Sequence, residues 1–211
     1  EKENAEYAQS IQDDARWLGF QWSGSVPWAS DYFVALYDVA KVINASLDPL
    51  KVLEKIVQCV VKAMDVKAGS IRLLDSRERM LVMGAACGLS KGYVRKGPIL
   101  IEESGLDRKV LKGRSIWLSN AQTAKDFQYG VMAKAEGIKS VLVVPLMLEK
   151  KAIGVLRVYA DRIRKFRDEE IKFLKAVANL SAIALDNARM HETLQTRCDL
   201  MAAHKYRIDD N

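Results

Sequence analysis

The sequence predicts an α/β fold of the α+β kind, an antiparallel sheet flanked by helices. Three observations carry that expectation. Ile138 to Asp161 holds two apolar runs, Val141–Leu148 and Ile153–Tyr159, around the polar Glu149, Lys150 and Lys151. β-Branched and aromatic residues on both sides of a short polar turn read as a hairpin. Ala68–Asp75 and Met80–Cys87 repeat the pattern around Ser76–Arg79, and long amphipathic helical stretches lie before and after.

The 138–161 hairpin is apolar on both faces, so its strands belong at the centre of a sheet covered on each side. Pro145 brings no N–H to the ladder, which predicts a bulge or an unpaired position there, and Gly154 marks a close backbone approach or a bend. One helix covers one face of this hairpin; the other face is where a function is sought.

Upstream, Glu3–Leu18 reads as a helix, broken by the two glycines and the proline of GFQWSGSVPW. Trp17, Trp22 and Trp28 lie in this region and predict that it docks on the domain or on a partner, unless it is a linker that packs opportunistically. A helix follows from Asp31, with Tyr32, Leu36, Ala40 and Ile43 on one face and Phe33, Tyr37 and Leu47 beside them. Asp48 is a suitable N-cap and Pro49 a suitable first residue for the next helix. Its wide apolar face is Leu50, Leu53, Ile56, Val57, Val60, Val61 and Met64. Gly88 to Gly137 is rich in loops, with short helices expected at Gly105–Lys112 and Val131–Glu136 and a short strand at Ser115–Leu118.

The final helix runs from Asp168 to at least Leu200. One stripe on it is Ile171, Leu174, Ala178, Ser181, Leu185 and Ala188. The other is Phe173, Val177, Leu180, Ala184, Asn187, His191, Leu194, Cys198 and Met201. The second stripe keeps the alternating steps of a coiled-coil seam, so His191, Leu194, Cys198 and Met201 are expected at a homodimer contact.

Composition excludes several classes. The 211 residues, 49% hydrophobic and 28% charged, suit a soluble globular protein with a sizeable core. The net charge of +6 is scattered, and its densest run, Arg162, Arg164, Lys165 and Arg167, reads as a solvated turn rather than a nucleic-acid stripe. No stretch is long and apolar enough to span a membrane, and the first residues lack a signal peptide's apolar core. Three widely spaced cysteines, Cys59, Cys87 and Cys198, suit a reducing cytosol. The chain begins at Glu1 rather than Met and is expected to be part of something longer.

Several pieces together resemble the GAF domain family. Asp48-Pro49-Leu50 opens the second helix. Ser104-Gly105-Leu106 with Val110, Gly113 and Ile116 is similar to Glu-Gly-Leu-x-Val-x-Gly-x-(Ile/Val). Ile138-Lys139-Ser140-Val141 with Val144-Pro145-Leu146 is similar to Gly-Ile-x-Ser-x-x-x-Val-Pro-Leu. Ile153-Gly154-Val155-Leu156 matches Ile-Gly-Val-Leu, and Ala182 to Arg189 resembles Ala-Ile-Ala-Leu-Glu-Asn-Ala-Arg. The resemblance covers about Asp31 to Glu192. It implies residues 1–30 as an N-terminal extension, 31–192 as the domain, and 193–211 as a helical linker toward an output domain of kinase, cyclase or transcription-regulator type. It also implies a GAF-like antiparallel sheet with the first, second and last helices on one face and a loop-rich lid over a pocket on the other.

Strand alternation points Val155, Arg157 and Tyr159 one way and Gly154, Leu156 and Val158 the other. The resemblance puts Val141 and Val143 on the pocket side, together with Ser70, Arg72 and Leu74 of the first strand. Arg72 and Arg157 then share a half-buried face, and each needs an anion. Either a bound carboxylate or phosphate supplies it, or lid residues such as Glu102, Glu103 or Asp126 do. Trp117, Phe127, Tyr129 and Met132 are candidates for the lid's inner wall, or else ordinary core; Ala124-Lys125-Asp126-Phe127 resembles a loop that approaches the ligand in the family.

Special family chemistries fit less well. Phe166, Asp168 and Glu169 match half of the cyclic-nucleotide signature, but Ala160-Asp161-Arg162 replaces its Asn-Lys. Neither His191 nor His204 follows a cysteine, whereas bilin-binding members commonly carry a Cys-His pair. The sulfoxide-reducing members need reactive cysteines close together, and here Cys87 alone is placed to approach the pocket. A metal site is not expected, because both histidines lie in the last helix. His191-Glu192-Thr193-Leu194 lacks the rest of a kinase phosphoacceptor box and reads as seam. No cofactor is specified. The expected function is a cytosolic, non-enzymatic sensory module that binds a small ligand and signals through its last helix. The alternative is a structural dimerisation module whose pocket is filled by its own side chains.

Overall fold

A computed structural model of the chain describes residues 29–44, 48–124 and 127–209. The expected helix at Glu3–Leu18, the tryptophans Trp17, Trp22 and Trp28, and Leu47, Lys125 and Asp126 lie outside the described residues, as does the side chain of His204.

Two helices come first, α1 (Ala29–Asn44) and α2 (Pro49–Ala63). The hairpin β1 (Ala68–Leu74) and β2 (Met80–Cys87) follows. Five short elements follow, three helices and two edge strands of the sheet: α3 (Lys91–Val94), β3 (Ile99–Leu100), α4 (Gly105–Val110), β4 (Ile116–Leu118) and α5 (Gly130–Ala135). The hairpin β5 (Ser140–Leu148) and β6 (Lys151–Ala160) returns to the centre, and α6 (Asp168–Asp209) ends the chain. The six strands form one sheet in the order β3-β2-β1-β6-β5-β4, with every neighbouring pair antiparallel. The α+β class is as expected; α3 and β3 were not foreseen, being too short to show a period.

Local chemistry explains the main elements. Asp48 Oδ1 accepts from the backbone N–H groups of Leu50 and Lys51 at 3.1 and 3.3 Å, which caps α2, and Pro49 follows at its first turn. These bonds to the ionised form hold the Asp48 carboxyl below its ordinary pKa. The inner face of α2 is Val52, Leu53, Ile56, Val57 and Val60, all buried. Leu50, expected on that face, is 56% exposed because it sits in the first turn, ahead of the sheet. On α1 the buried stripe turns about Val39, with Tyr32, Ala35, Leu36, Val42 and Ile43 packed beside it. Phe33 and Tyr37 point outward, one residue round the helix from that stripe.

In the central hairpin, Leu148 faces Lys151 across a two-residue turn, with Glu149 at φ 53°. Pro145 stays in register opposite Val155, and the irregularity falls one step on, between Leu146 and Met147. β4 pairs only with Val141–Val143, so at Pro145 one edge of β5 has no partner strand among the described residues, and a residue without an N–H fits. Gly154 is the expected close approach: a Cβ there would stand 2.4 Å from the Arg72 carbonyl oxygen.

The sheet separates two apolar layers. On one side Ile71, Leu142, Val144, Leu146, Leu156 and Val158 pack against α1, α2 and the first half of α6. On the other side Leu81, Val141, Val143, Val155 and Tyr159 pack against the lid through Tyr93, Ile99, Leu106, Val110, Phe127 and Ala133.

The last helix is one continuous element, so the expected boundary at residue 192 falls inside it. The first halves of both its stripes enter the same layer: Phe173, Leu174, Val177, Ala178, Ala182 and Leu185 are buried, with Leu180 and Ala184 beside them. From Arg189 to Met201 every residue is exposed, including His191, Leu194, Cys198 and Met201. The basic run before the helix is more than a solvated turn. Arg162 binds Asp65 at 2.7 Å, while Arg164 pairs with Glu170 and stacks over Phe166. Glu170 also accepts from the Arg167 N–H at 2.7 Å, closing the helix start as the third residue of a capping box does. Among the described residues no helix is long and apolar enough to cross a membrane.

Candidate functional site

The site is built on β1, β5 and β6. Ser70 faces Arg157 and Arg72 faces Val155 in the β1–β6 register, so the two arginines are diagonal neighbours on the lid side. Both are 1% exposed. Val141, Val143 and Tyr159 share this face. Tyr159 OH lies 2.9 Å from Ser70 Oγ, and its ring meets Tyr93 edge-on at 6.0 Å.

Arg157 finds its anion inside the protein. Its Nη2 donates to Asp107 Oδ1, and both side chains are buried. The other oxygen of Asp107 accepts from Ser104 Oγ at 2.6 Å, and Ser104 in turn caps α4 by accepting from Asp107 N at 3.3 Å. Burial alone depresses the arginine's proton affinity; the adjacent carboxylate outweighs it and holds Arg157 above its ordinary pKa. The lid residues proposed for this role do something else or lie elsewhere: Glu103 accepts from Gln128 at 2.6 Å, and Asp126 is outside the described residues.

Arg72 is different. Its Nη1 donates to the carbonyls of Leu81 and Gly97 at 3.2 and 3.3 Å, while Nε and Nη2 are buried without a partner. Desolvation, with Arg157 adding repulsion, lowers its pKa. Next to Gly97, Lys96 brings its Nζ to 3.4 Å from the centre of the Tyr93 ring and 4.3 Å from that of Tyr129. That nitrogen is buried with no hydrogen-bond acceptor, and burial together with Arg157 and Arg72 pushes its pKa down to about 6. Tyr93 OH is buried and unpartnered too, and burial raises its pKa, keeping it a neutral donor.

The lid is tied down at several points. Ser90 N and Oγ both bond the Glu136 carboxylate, Lys67 Nζ donates to the Glu136 carbonyl at 2.6 Å, and Tyr129 OH donates to the Pro98 carbonyl at 2.8 Å. Phe127 is buried in the lid layer, with Tyr129 and Met132 packed at its margin. Trp117 is not on that wall. It faces Leu142 across the β4–β5 pair, and cross-strand partners share a face, so its side chain joins the helix layer. Its neighbours Ile116 and Leu118 take the lid side. Cys87 likewise packs on the helix layer, away from the lid. Lys96, Tyr93 and Asp107 were not foreseen. The inward spacing of Leu106, Asp107 and Val110 on one turn of helix was a usable signal for Asp107; Lys96 sits in a loop with no period to reveal it.

Among the described residues no group of His, Cys, Asp and Glu is arranged to hold a metal ion. What the layer between sheet and lid offers is buried hydrogen-bond donors without partners, on Arg72, Arg157, Lys96 and Tyr93, in an apolar, aromatic setting.

Comparisons with known proteins agree with this architecture. The fold is similar to the GAF domain of a phosphoenolpyruvate-protein phosphotransferase from Coxiella burnetii (20% identical, TM-score 0.71, covering 79% of this chain and 99% of that one). It is similar to the corresponding domain from Acinetobacter (25% identical, TM-score 0.64, 75% and 94% covered). It also resembles free methionine-R-sulfoxide reductase from Neisseria meningitidis (18% identical, TM-score 0.66, 80% and 96% covered), a likeness of fold alone. A stretch of 47 residues, 22% of this chain, is 55% identical to part of the glutamine–tRNA ligase of Proteus mirabilis, only 8% of that enzyme's length. The family model described as GAF domain matches residues 46–186, two thirds of the chain. With the sheet order and the two-layer packing, that match establishes that the chain belongs to the GAF domain family.

Proposed function

We propose that this chain is a sensory GAF module in which a small ligand enters the compartment between sheet and lid, and the last helix carries the effect to an attached output domain. The supporting observation is the set of buried donors without partners: Arg72 Nε and Nη2, Lys96 Nζ, Tyr93 OH and Arg157 Nε. An unsatisfied buried polar group costs about 1–3 kcal/mol, more when charged. Native structures keep few of these, so several in one compartment argue for a missing partner. In this reading the ligand-facing residues are Arg72, Lys96, Tyr93 and Tyr159, walled by Val141, Val143, Phe127, Tyr129 and Met132. Residues 1–30 are an extension, and residues 193–211 link to the output domain.

The route out of the compartment is short. Tyr159 precedes the end of β6 by one residue, and the connection to α6 is held at both ends. Ser140 Oγ on β5 accepts from Arg164 N at 3.0 Å, and Arg164 pairs with Glu170 in the first turn of the helix. A shift of β6 therefore moves the helix start with little slack between them. The brief likeness to glutamine–tRNA ligases covers too little of those enzymes to carry their activity.

The internal Arg157–Asp107 pair supports a second reading, a dimerisation module whose compartment is filled by its own side chains. Mass spectrometry of the intact chain under non-denaturing conditions, combined with amide hydrogen exchange, separates the two. A co-purified small molecule that slows exchange both in residues 88–137 and in the first turns of α6 is the expected result. A chain at its bare mass, with unchanged exchange across a library of cytosolic metabolites, would decide for the second reading.

A further inference from the structure

Charge does not balance beneath the lid. Arg72, Arg157 and the Lys96 nitrogen are all buried between the sheet and the lid. Among the described residues, the carboxylate within hydrogen-bond range of any of them there is Asp107, which Arg157 and Ser104 already occupy. The two acceptors of Arg72 are neutral carbonyls, which orient a guanidinium without neutralising it. Its free edge, Nε with Nη2, is the edge that meets a carboxylate or phosphate side-on through two parallel bonds. Because Gly97 accepts from Arg72, the adjacent Lys96 is held on the same side of the lid. The faces of Tyr93 and Tyr129 offset part of the cost of burying its ammonium group, but they leave its donors unused. Tyr93 adds an unused hydroxyl beside it. A neutral ligand satisfies hydrogen bonds here but leaves the excess positive charge; an anion removes both defects.

We propose that Arg72, Lys96 and Tyr93 form the binding site for a compact oxyanion, a carboxylate or phosphate borne by a small molecule or present as the free ion, while Arg157 clasps the lid through Asp107 rather than holding the ligand. The inference rests on the reading of this compartment as a ligand site and adds the ligand's chemical class and the side chains that recognise it. The geometry of Lys96 supports it: its buried nitrogen has no acceptor, its neighbours lower its hold on a proton, and an anion between it and Arg72 reverses that balance.

The test titrates the full chain calorimetrically with inorganic phosphate and, separately, with acetate, at constant ionic strength and pH 7, beside the variants Lys96→Met and Arg72→Lys. Lys96→Met keeps an unbranched side chain at a partly exposed lid position, so it is expected to fold and to melt no lower than wild type in the absence of anion. Saturable 1:1 binding of at least one oxyanion is expected in wild type, weakened about tenfold or more in each variant. Equal affinity in all three proteins would place the anion elsewhere on the surface and overturn the proposal. So would the absence of saturable binding by both probes. A neutral molecule co-purifying at 1:1 would overturn the anion class while leaving the ligand-sensing reading intact. Oxyanion binding that depends on Lys96 but leaves exchange in α6 unchanged would keep the site and remove the signalling role.

Discussion

Arg157 on the central strand β6 and Asp107 on the lid helix α4 form an ion pair with each side chain 1% exposed. The pair joins two parts of the chain fifty residues apart, and Ser104 completes it by bonding the second carboxylate oxygen. Removing one member of such a pair strands a charge in a dry setting. Asp107→Asn is expected to lower stability by about 3–5 kcal/mol. Urea denaturation measures it, and a midpoint equal to wild type would show the pair to be dispensable. Replacing both residues with apolar ones, Arg157→Met with Asp107→Leu, should recover most of the loss, because no unpaired charge remains.

Lys96 makes stability depend on pH in a direction that can be worked out. Its folded pKa is pushed down to about 6, against an ordinary lysine value of 10.5. Between those two values the unfolded chain binds a proton that the folded chain does not, so the folded state gains stability as pH rises through that window. Below about 6 the residue is protonated in both states and the cost is full. The charges that set this balance are Arg72 on β1, Arg157 on β6, Asp107 on α4 and Glu136 after α5. Lys96→Met should therefore melt higher than wild type, with the gap largest near pH 6 and shrinking toward pH 9. A gap that stays constant or widens would rule out a desolvated lysine.

Gly154 and Gly69 allow a paired comparison. A methyl group at Gly154 meets the Arg72 carbonyl at 2.4 Å, which is backbone of the neighbouring strand and cannot step aside. One at Gly69 meets the Val57 and Val61 methyl groups at 3.0 Å, side-chain atoms that have only a few tenths of an ångström to give. Gly154→Ala is expected to cost at least the roughly 1–3 kcal/mol typical of overpacking, and Gly69→Ala clearly less. Thermal melts of the two variants side by side check the order. The reverse order would mean that the β1–β6 spacing is softer than the register suggests.

The exposed residues Leu194 and Met201, 59% and 74% accessible in the single chain, continue a seam that begins in the core. We expect the whole chain to self-associate through this part of α6. Sedimentation of a chain ending at Arg189 should show weaker dimers than the full length. Association of equal strength would assign the dimer contact to another surface, or to none.

Much of this was legible in the residues. The period of two in Val155-Leu156-Arg157-Val158-Tyr159 told which side chains share a face, and packing on both sides follows that parity. The same parity, carried across β5 to β4, places Trp117 opposite Leu142 and hence under the helices. Of the two readings open for it, lid wall or ordinary core, the core is where it sits, on the helix side. On α1 the apolar residues run nearly all round, so periodicity alone did not say that Val39 is inside while Phe33 and Tyr37 are out. The need of Arg157 for an anion was evident from burial, but the choice among nearby carboxylates depended on the turn of α4 that points Asp107 inward. Lys96 was beyond reach, because its burial comes from a loop that lays it against nearby Tyr93 and the sequence-distant Tyr129.

The last helix has a mechanical consequence. Its final buried residue of the core is Leu185, and its backbone continues as helix to Asp209. At 1.5 Å per residue that overhang is a rod of roughly 36 Å. Pivoting at Leu185, a tilt of about 5° would sweep its far end through roughly 3 Å, half the pitch of an α-helix. A displacement too small to disturb the sheet would thus be magnified along a lever whose fulcrum is the edge of the core.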